Sequence, residues 1–223
     1  MSILFVLLTF LVIISISYFM RHGQVPLEDA ERVHAAVPAQ KPMLVRESRF
    51  EVPKGFCFHP GHTWVSDEGR QNARVGIDSF AGSLFGKIDK VEVAGLNRWV
   101  RQGQKVCAIT RDGVTAEFMS PVEGVVVSVN HDALRDPSVV TKDPYNNGWT
   151  CVIKAPEMEV NLKNLLQGSM ISTWMQNSVR RLQSYAAPLG AAAADGGLPV
   201  DGLIAQLEPT AQRSMLREFF LNN

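Results

Sequence analysis

One group of residue types in this chain could bind a metal ion, and it lies in the string Cys57-Phe-His59-Pro-Gly-His62. Thiolate and imidazole are ligands that zinc prefers, and a closed zinc site needs four ligands with hydrogen-bonded supporting groups. The string supplies three, and the other cysteines, Cys107 and Cys151, are distant in sequence. A pair of histidines at the surface or on the first strand is therefore the better interpretation, with His62 packed or hydrogen-bonded near Trp64. We expect no metal site.

Other motifs that carry chemistry do not occur in the sequence. Gly82-Ser-Leu-Phe-Gly86 lacks the Lys-Ser/Thr that completes a P-loop, and there is neither a G-x-S-x-G elbow nor an H-E-x-x-H string. Lys+Arg and Asp+Glu both number 22, so no positive excess attracts nucleic acid. The three cysteines form no C-x-x-C pair, which suits free buried thiols in a reducing compartment. We expect neither an enzyme nor a nucleic-acid-binding protein.

A hairpin tip is predicted in the string Thr110-Arg-Asp-Gly-Val-Thr115. Asp-Gly between two β-prone runs favours a two-residue turn, because both positions accept positive φ. Asp112 and Gly113 are therefore expected at an exposed tip. By itself the string indicates only a tight turn.

Short apolar alternations separated by turn residues run from about Phe50 to Pro156. The strands that they predict are Thr63–Ser66, Asn72–Ile77, Lys87–Val93, Val106–Thr110, Thr115–Met119 and Gly124–Val129. One helix is expected among them, at Asp78–Phe85, with Asp78 or Ser79 as its N-cap. Many short strands at this spacing are typical of a sandwich or flattened barrel, so the fold class is mainly β with flanking helices.

The order of several strings makes the chain resemble the glycine cleavage H-protein, a member of the biotinyl/lipoyl-carrier family. The matching strings are His62-Thr-Trp64, Val75–Ala81, Gly86 before a strand, Ser120–Gly124, Val129-Asn130 and Asp143–Trp149. The resemblance covers roughly residues 55–175, including a closing helix near Leu162–Met175. It implies a lipoyl-type barrel-sandwich hybrid domain, which we place at residues 51–176.

The resemblance also implies where a lipoyl group would be attached. In that family the lipoyl lysine lies at a hairpin tip, seven residues before the Ser of the Ser-Pro-Val string, and here that position is Gly113. No lysine occurs between Lys105 and Lys142, and Lys105 precedes the strand at Val106–Thr110. Amide linkage of lipoate or biotin needs a lysine amine, so we expect the domain to carry no covalent cofactor.

The amino terminus contains an uncharged apolar run from Ile3 to Met20. About 18 helical residues at 1.5 Å each cover about 27 Å, close to the thickness of the hydrocarbon core of a bilayer. No basic residue precedes the run, which argues against the alternative of a cleaved signal peptide. Because arginines and a lysine follow it, we expect residues 1–21 to be a single-pass anchor in the cell inner membrane, residues 22–50 a tether, and the C-terminal domain cytoplasmic.

Residues 177–223 are predicted to form a helical tail interrupted by an Ala/Gly/Pro linker at Pro188–Pro199. Helical spacing relates Leu203, Ile204 and Leu207, and then Met215, Leu216, Phe219 and Phe220, with Pro209 placed to start the last helix. So short an amphipathic helix needs a surface to pack on. That surface is its own domain, a groove of a partner or, least favoured because few basic residues flank the helix, the membrane.

Trp99 is unusual because two arginines flank it, in Asn97-Arg-Trp-Val-Arg101, where the family has a polar turn. Its ring either folds back onto the sandwich or stays exposed. Tryptophan and arginine are frequent at interface hot spots. The candidate partner contacts are Trp99, Arg98, Arg101, Leu216, Phe219 and Phe220.

These features favour a non-catalytic structural or adaptor subunit of a membrane-associated complex, respiratory or redox in kind, built on a lipoyl-type domain without its lipoyl group. Its expected partners are subunits of that complex and the lipid bilayer, through residues 3–20. Two alternatives stay open. One is a functional lipoyl carrier of a glycine-cleavage-like system, which would need a lysine at the tip. The other is a periplasmic membrane-fusion adaptor, which would need the opposite topology.

Overall fold

The computed structural model of the chain describes residues 44–47, 50–186 and 201–221. The predicted anchor at 1–21, most of the predicted tether and the predicted linker at 188–199 lie outside these residues. Among the helices that are described, none combines the length and apolar character needed to cross a bilayer.

Within the described residues, the β-strands form three antiparallel sheets. Their bounds are β1 Leu44–Glu47, β2 Phe50–Pro53, β3 Cys57–Phe58, β4 Thr63–Asp67, β5 Asn72–Ile77, β6 Lys90–Val93, β7 Trp99–Val100, β8 Lys105–Arg111, β9 Val114–Met119, β10 Gly124–Val129 and β11 Trp149–Lys154. One sheet has the order β3-β4-β5-β11-β10-β7, another β6-β8-β9, and the third β1-β2. The β1 strand lies within the segment predicted as a tether, so part of that segment forms a hairpin with the start of the domain.

The helices flank these sheets. Their bounds are α1 Ser79–Phe85, α2 His131–Arg135, α3 Ser138–Lys142, α4 Met158–Leu162, α5 Ser169–Ala186 and α6 Pro209–Phe220, with a 3-10 helix at Leu203–Gln206. The predicted capping of α1 is confirmed, because Asp78 Oδ1 accepts the backbone N–H of Ala81 at 2.8 Å. Pro209 also begins α6 as predicted.

The closing helix predicted near Leu162–Met175 begins later than expected. Helix α4 ends at Leu162 and α5 begins at Ser169. Between them Leu166 is extended and exchanges two backbone hydrogen bonds with Phe58, at 3.0 and 2.8 Å. Gly168, at φ 54°, then redirects the chain into α5. A helix cannot contain a residue whose backbone pairs with a strand, so the segment divides.

The strand predicted at Lys87–Val93 is shorter than expected and begins at Lys90. Helix α1 ends at Gly86, which has φ 62°, and the chain bends at Lys87 and Asp89 before it pairs with β8. The period-two alternation of this segment therefore includes a bent connection. Strand β11 and the short helices α2 and α3 were not predicted at all.

The core lies between the six-stranded and the three-stranded sheets. Val75, Val126 and Ile153 face it from one sheet, and Ile109 and Phe118 from the other. Each such side chain stabilises the fold by about 1.5–3 kcal/mol through its burial. This core holds the hairpin β8–β9 against the rest of the domain.

Two of the free cysteines also belong to this core. Cys107 and Cys151 are buried, as predicted, whereas Cys57 is half-buried. Burial raises the pKa of the Cys151 thiol to about 12 and raises that of Cys107 further. Since the thiolate is the reactive form of cysteine, these two thiols are inert at neutral pH.

Candidate functional site

The tip of the hairpin β8–β9 is a two-residue turn. Arg111 pairs with Val114, so Asp112 and Gly113 make the turn between them. Their φ angles are 48° and 80°, which confirms the predicted positive values. Both residues are exposed, and a Cβ added at Gly113 would have no neighbouring atom within 4 Å. Position 113 therefore faces open solvent at the outermost point of the hairpin.

Lys105 lies at the opposite end of the same hairpin. It pairs with Met119, and its ammonium lies 2.5 Å from Oε1 of Glu117. Strand β8 extends from Lys105 to Arg111, a distance of about 20 Å at the rise of an extended strand. Lys105 is therefore remote from the tip, as the sequence predicted.

Two other lysines lie beside the hairpin, and sequence reasoning did not single them out. Lys90 is directly opposite Thr110 in the β6–β8 pairing, with its ammonium 2.6 Å from Oε1 of Glu92. Lys87, whose side chain is 81% exposed, lies in the bend before β6. The pairing of β6 with β8, which the local sequence does not specify, brings these two lysines near the hairpin. Neither lies in the turn itself.

A hydrogen bond ties the tip to the bend before β6. The backbone N–H of Asp112 donates to Oδ2 of Asp89 at 2.8 Å. This bond, assisted by the positive charges of Lys87 and Arg111, lowers the pKa of the Asp89 carboxyl. The carboxylate form therefore prevails at neutral pH and holds the turn through an ionised acceptor.

The Arg111 side chain makes a second tie. Its guanidinium donates to the backbone carbonyl of Phe85, at the end of α1. The tail reaches the same point, because the backbone N–H of Gly202 donates to the carbonyl of Ser83 at 2.9 Å. A Cβ at Gly202 would lie 2.4 Å from Nη1 of Arg111, and one at Gly86 would lie 2.9 Å from the Gly202 nitrogen. Two glycines thus permit the tail, α1 and the base of the tip to meet.

Helix α6 packs on its own domain, the first of the three alternatives considered for it. The Phe220 ring lies 4.9 Å from that of Phe118 in β9, and the Phe219 ring lies 5.3 Å from that of Phe80 in α1. Leu216, Phe219 and Phe220 are only 9%, 1% and 0% exposed. These three predicted partner contacts are therefore covered by the domain in this conformation. Their spacing predicted an apolar face but not the surface that receives it.

Polar contacts join α6 to α5. The Tyr185 hydroxyl donates to Oε2 of Glu218 at 2.7 Å, and Nη1 of Arg181 lies 3.6 Å from Oε1 of the same carboxylate. The Arg181 guanidinium also lies over the Phe219 ring, 5.2 Å from its centre. Desolvation and Glu218 raise the pKa of Tyr185 to about 12, so its hydroxyl remains a donor.

His62 is packed and hydrogen-bonded in the core, as expected of it, so it does not form a surface or first-strand pair with His59. It is fully buried, its Nδ1 lies 2.7 Å from Oδ2 of Asp78, and its ring stacks between Phe80 and Trp174 at 4.4 and 4.5 Å. Its φ of 64° turns the chain inward after Gly61. The sequence signal was present, because His62 belongs to the string that resembles the H-protein.

The half-buried His59 does not join His62 in a ligand set. Its Nδ1 accepts the backbone N–H of Gly61 at 3.0 Å, and burial together with His62 lowers its pKa. Within the described residues no group of three or more His, Cys, Asp and Glu side chains is placed to hold a metal ion. The string Cys57–His62 thus consists of strand β3 and a turn that leads into β4.

Trp99 adopts the exposed alternative. Its side chain is 47% exposed on β7, a strand at the edge of the six-stranded sheet, where it pairs with Val125. Arg98 and Arg101 are also exposed, as is Leu96 at 49%. An aromatic ring and two guanidinium groups therefore share one sheet edge, and their role as partner contacts stays a prediction.

The six-stranded and three-stranded sheets, the flanking helices and the projecting two-residue hairpin define a mainly β barrel-sandwich domain. The sequence profile described as "Glycine cleavage H-protein" matches residues 57–178, more than half of the chain. The chain belongs to the glycine cleavage H-protein family.

Individual relatives agree with this assignment. A probable glycine cleavage system H protein 2 from Sulfolobus acidocaldarius is 30% identical over 128 residues, which are 56% of this chain and 85% of that protein. The glycine cleavage system H protein of Alteromonas mediterranea is 32% identical over 106 residues, 48% of this chain and 82% of that protein. The crystal structure of the H protein from Mycobacterium marinum is similar in fold, with a TM-score of 0.50 at 23% identity, over 57% of this chain and 99% of that one.

Proposed function

We propose that this chain is a non-catalytic member of its family that carries no lipoyl group and serves as an adaptor subunit of a membrane-associated complex, respiratory or redox in kind. The observation that carries the proposal is glycine at position 113, the outermost point of the hairpin. Attachment of a lipoyl group through an amide needs a primary amine, and glycine has no side chain to supply one.

The contacts around the tip support this proposal. A carrier arm must move between partners, so the turn that holds it has to be accessible. Here Asp89 accepts from the backbone of Asp112, and Arg111 is bound to the carbonyl of Phe85 beside the docked tail. These ties suit a hairpin that serves as a fixed structural element.

The membrane association proposed here rests on the apolar run from Ile3 to Met20. A helix of about 18 apolar residues is long enough to span a bilayer, and the basic residues that follow it favour a cytoplasmic domain. Trp99, Arg98 and Arg101 form the exposed edge that we propose for partner contact.

A second function, that of a working lipoyl carrier, is favoured by family membership and by the lysines beside the hairpin. Lys90 lies opposite Thr110, and Lys87 is exposed in the preceding bend. Either amine would have to be recognised on a strand or bend rather than in a turn. We therefore place this function second.

Mass spectrometry of the full-length chain from its native membranes, purified in mild detergent, tests both functions. We expect an unmodified intact mass and a fixed set of membrane proteins that copurify at near-equal abundance. A lipoyl group mapped to a lysine would support the carrier function, and Lys87→Arg and Lys90→Arg variants would identify the residue. An unmodified chain that purifies without partners would instead remove the adaptor role.

A further inference from the structure

A groove of about 390 Å³ lies between β9 and α6. Thr115, Glu117 and Met119 line one wall, and the other wall comes from α6 and the residue after it. The profile match to the family ends at residue 178, so the α6 wall comes from the tail that follows the matched domain.

Positive charge dominates this groove. Arg213 and Arg217 both line it, and their spacing of four residues places them on one face of α6. Within the part of the chain that the structure describes, neither guanidinium makes an ion pair, whereas Arg181 lies 3.6 Å from Glu218. Glu117 is the acidic residue of the lining, and Lys105, 2.5 Å away, offsets its charge.

The rest of the lining is largely apolar. Leu216 is a buried residue of α6, and Leu221, which follows the helix, is 47% exposed. Met119 lies on the opposite wall, in β9. A groove with an apolar surface and a few convergent polar groups is the usual form of a small-ligand site, and its volume falls in the range of such sites, about 300–1,000 Å³.

We propose that this groove binds a small organic anion, one carboxylate or phosphate group on a short apolar body. Guanidinium groups match both anions because their donors form a planar fork, and an i, i+4 pair can grip one anion from two sides. The apolar body would cover Leu216, Met119 and Leu221. The inference is independent of whether the hairpin tip carries a lipoyl group.

Titration of the full-length chain in phosphatidylcholine nanodiscs tests the proposal, with butyl phosphate and butanoate as the probes. Saturation-transfer NMR and calorimetry should detect binding of at least one of them, and the probe that binds identifies the anionic group. Arg213→Gln and Arg217→Gln should each weaken binding about tenfold, the effect expected for loss of one charge-assisted hydrogen bond.

Arg180→Gln is the matched control, because Arg180 is an exposed arginine on α5 outside the groove. We expect it to bind like the parent chain. Circular dichroism of each variant checks that the exposed substitutions leave the fold intact. Equal affinity for 1-butanol, unchanged affinity in the double arginine variant, or no binding of either anion by the parent chain would each overturn the proposal.

Discussion

The backbone N–H of Asp112 and the carboxylate of Asp89 form a hydrogen bond of 2.8 Å that fixes the exposed turn to the bend before β6. Asp89 follows the end of α1, and the Arg111 guanidinium bonds to the last residue of that helix, Phe85. The tip of the hairpin is therefore held on the same side by two independent contacts. The strength of the first contact should depend on the ionisation of Asp89.

Acid should loosen the turn. The folded-state pKa of Asp89 is lowered from its ordinary value of 3.8, so its stabilising effect is fully present above that value and is lost as the pH falls through the lower, folded pKa. The amide proton of Asp112, followed by NMR, should report this transition and lose protection from exchange below pH 3.8. Asp89→Asn keeps an acceptor oxygen but removes the charge, so its Asp112 amide should show no such transition. Identical titration of the two proteins would contradict the assigned contact.

A lysine introduced at position 113 should permit attachment of a lipoyl group, because the proposed function assumes that only this side chain is missing from the site. We expect Gly113→Lys to acquire one lipoyl group when coexpressed with a lipoate ligase, measured by intact mass. Because φ at this position is 80°, the variant should lose about 1 kcal/mol of stability. Thr115→Lys, on the exposed part of β9 beside the turn, is the matched control and should stay unmodified. A Gly113→Lys chain that stays unmodified would mean that other parts of the recognition surface have also changed.

Gly86 should be needed for the docking of the tail. An alanine Cβ there would lie 2.9 Å from the backbone nitrogen of Gly202. Gly202, which leads into the 3-10 helix at Leu203–Gln206, would therefore have to shift. Gly103→Ala controls for backbone strain, because Gly103 also has positive φ, 79° against 62°, but a Cβ there would have no neighbour within 4 Å. Gly103→Ala should lose about 1 kcal/mol of stability through its backbone conformation. Gly86→Ala should lose more than that, because ψ −100° at Gly86 lies outside the left-handed helical region. Gly86→Ala should lose about 1–2 kcal/mol more in urea unfolding and weaken exchange protection in α6. Equal losses would show that the contact with Gly202 is readily relieved.

The Trp99 edge should matter for assembly but not for folding. Trp99 is 47% exposed, so Trp99→Ala should change the free energy of unfolding by less than about 0.5 kcal/mol. It should nevertheless lower the yield of copurifying membrane proteins, because a central tryptophan at an interface contributes about 2 kcal/mol or more to binding. Met170→Ala, at 54% exposure on α5, is the control and should leave copurification unchanged. Undiminished copurification of Trp99→Ala would place the partner surface elsewhere.

Local rules sufficed for the parts of the structure that are encoded within a few residues. The Asp112-Gly113 turn, the Asp78 cap and the start of α6 at Pro209 each depend on the conformational preferences of adjacent residues. The long-range contacts could not be predicted in this way. Asp89 meets Asp112 across 23 residues and Arg111 meets Phe85 across 26, and both contacts follow from strand pairing, which a single sequence does not specify.

The site of tail docking was unpredictable for the same reason. The spacing of Leu216, Phe219 and Phe220 indicated an apolar face, but an apolar face fits any apolar surface of suitable shape. Which surface receives it depends on the shape that Phe80, Phe85 and Phe118 form together. The partner of His62 was unpredictable for a related reason, since Asp78 lies 16 residues further along the chain.

The ring contact between Phe118 and Phe220 has a consequence for folding during translation. Phe118 emerges 102 residues before Phe220, the difference between the two residue numbers. At about 5–20 residues per second, translation leaves the aromatic surface of β9 uncovered for roughly 5–20 seconds. During that interval the nascent domain exposes an apolar surface that chaperones and neighbouring nascent chains can bind.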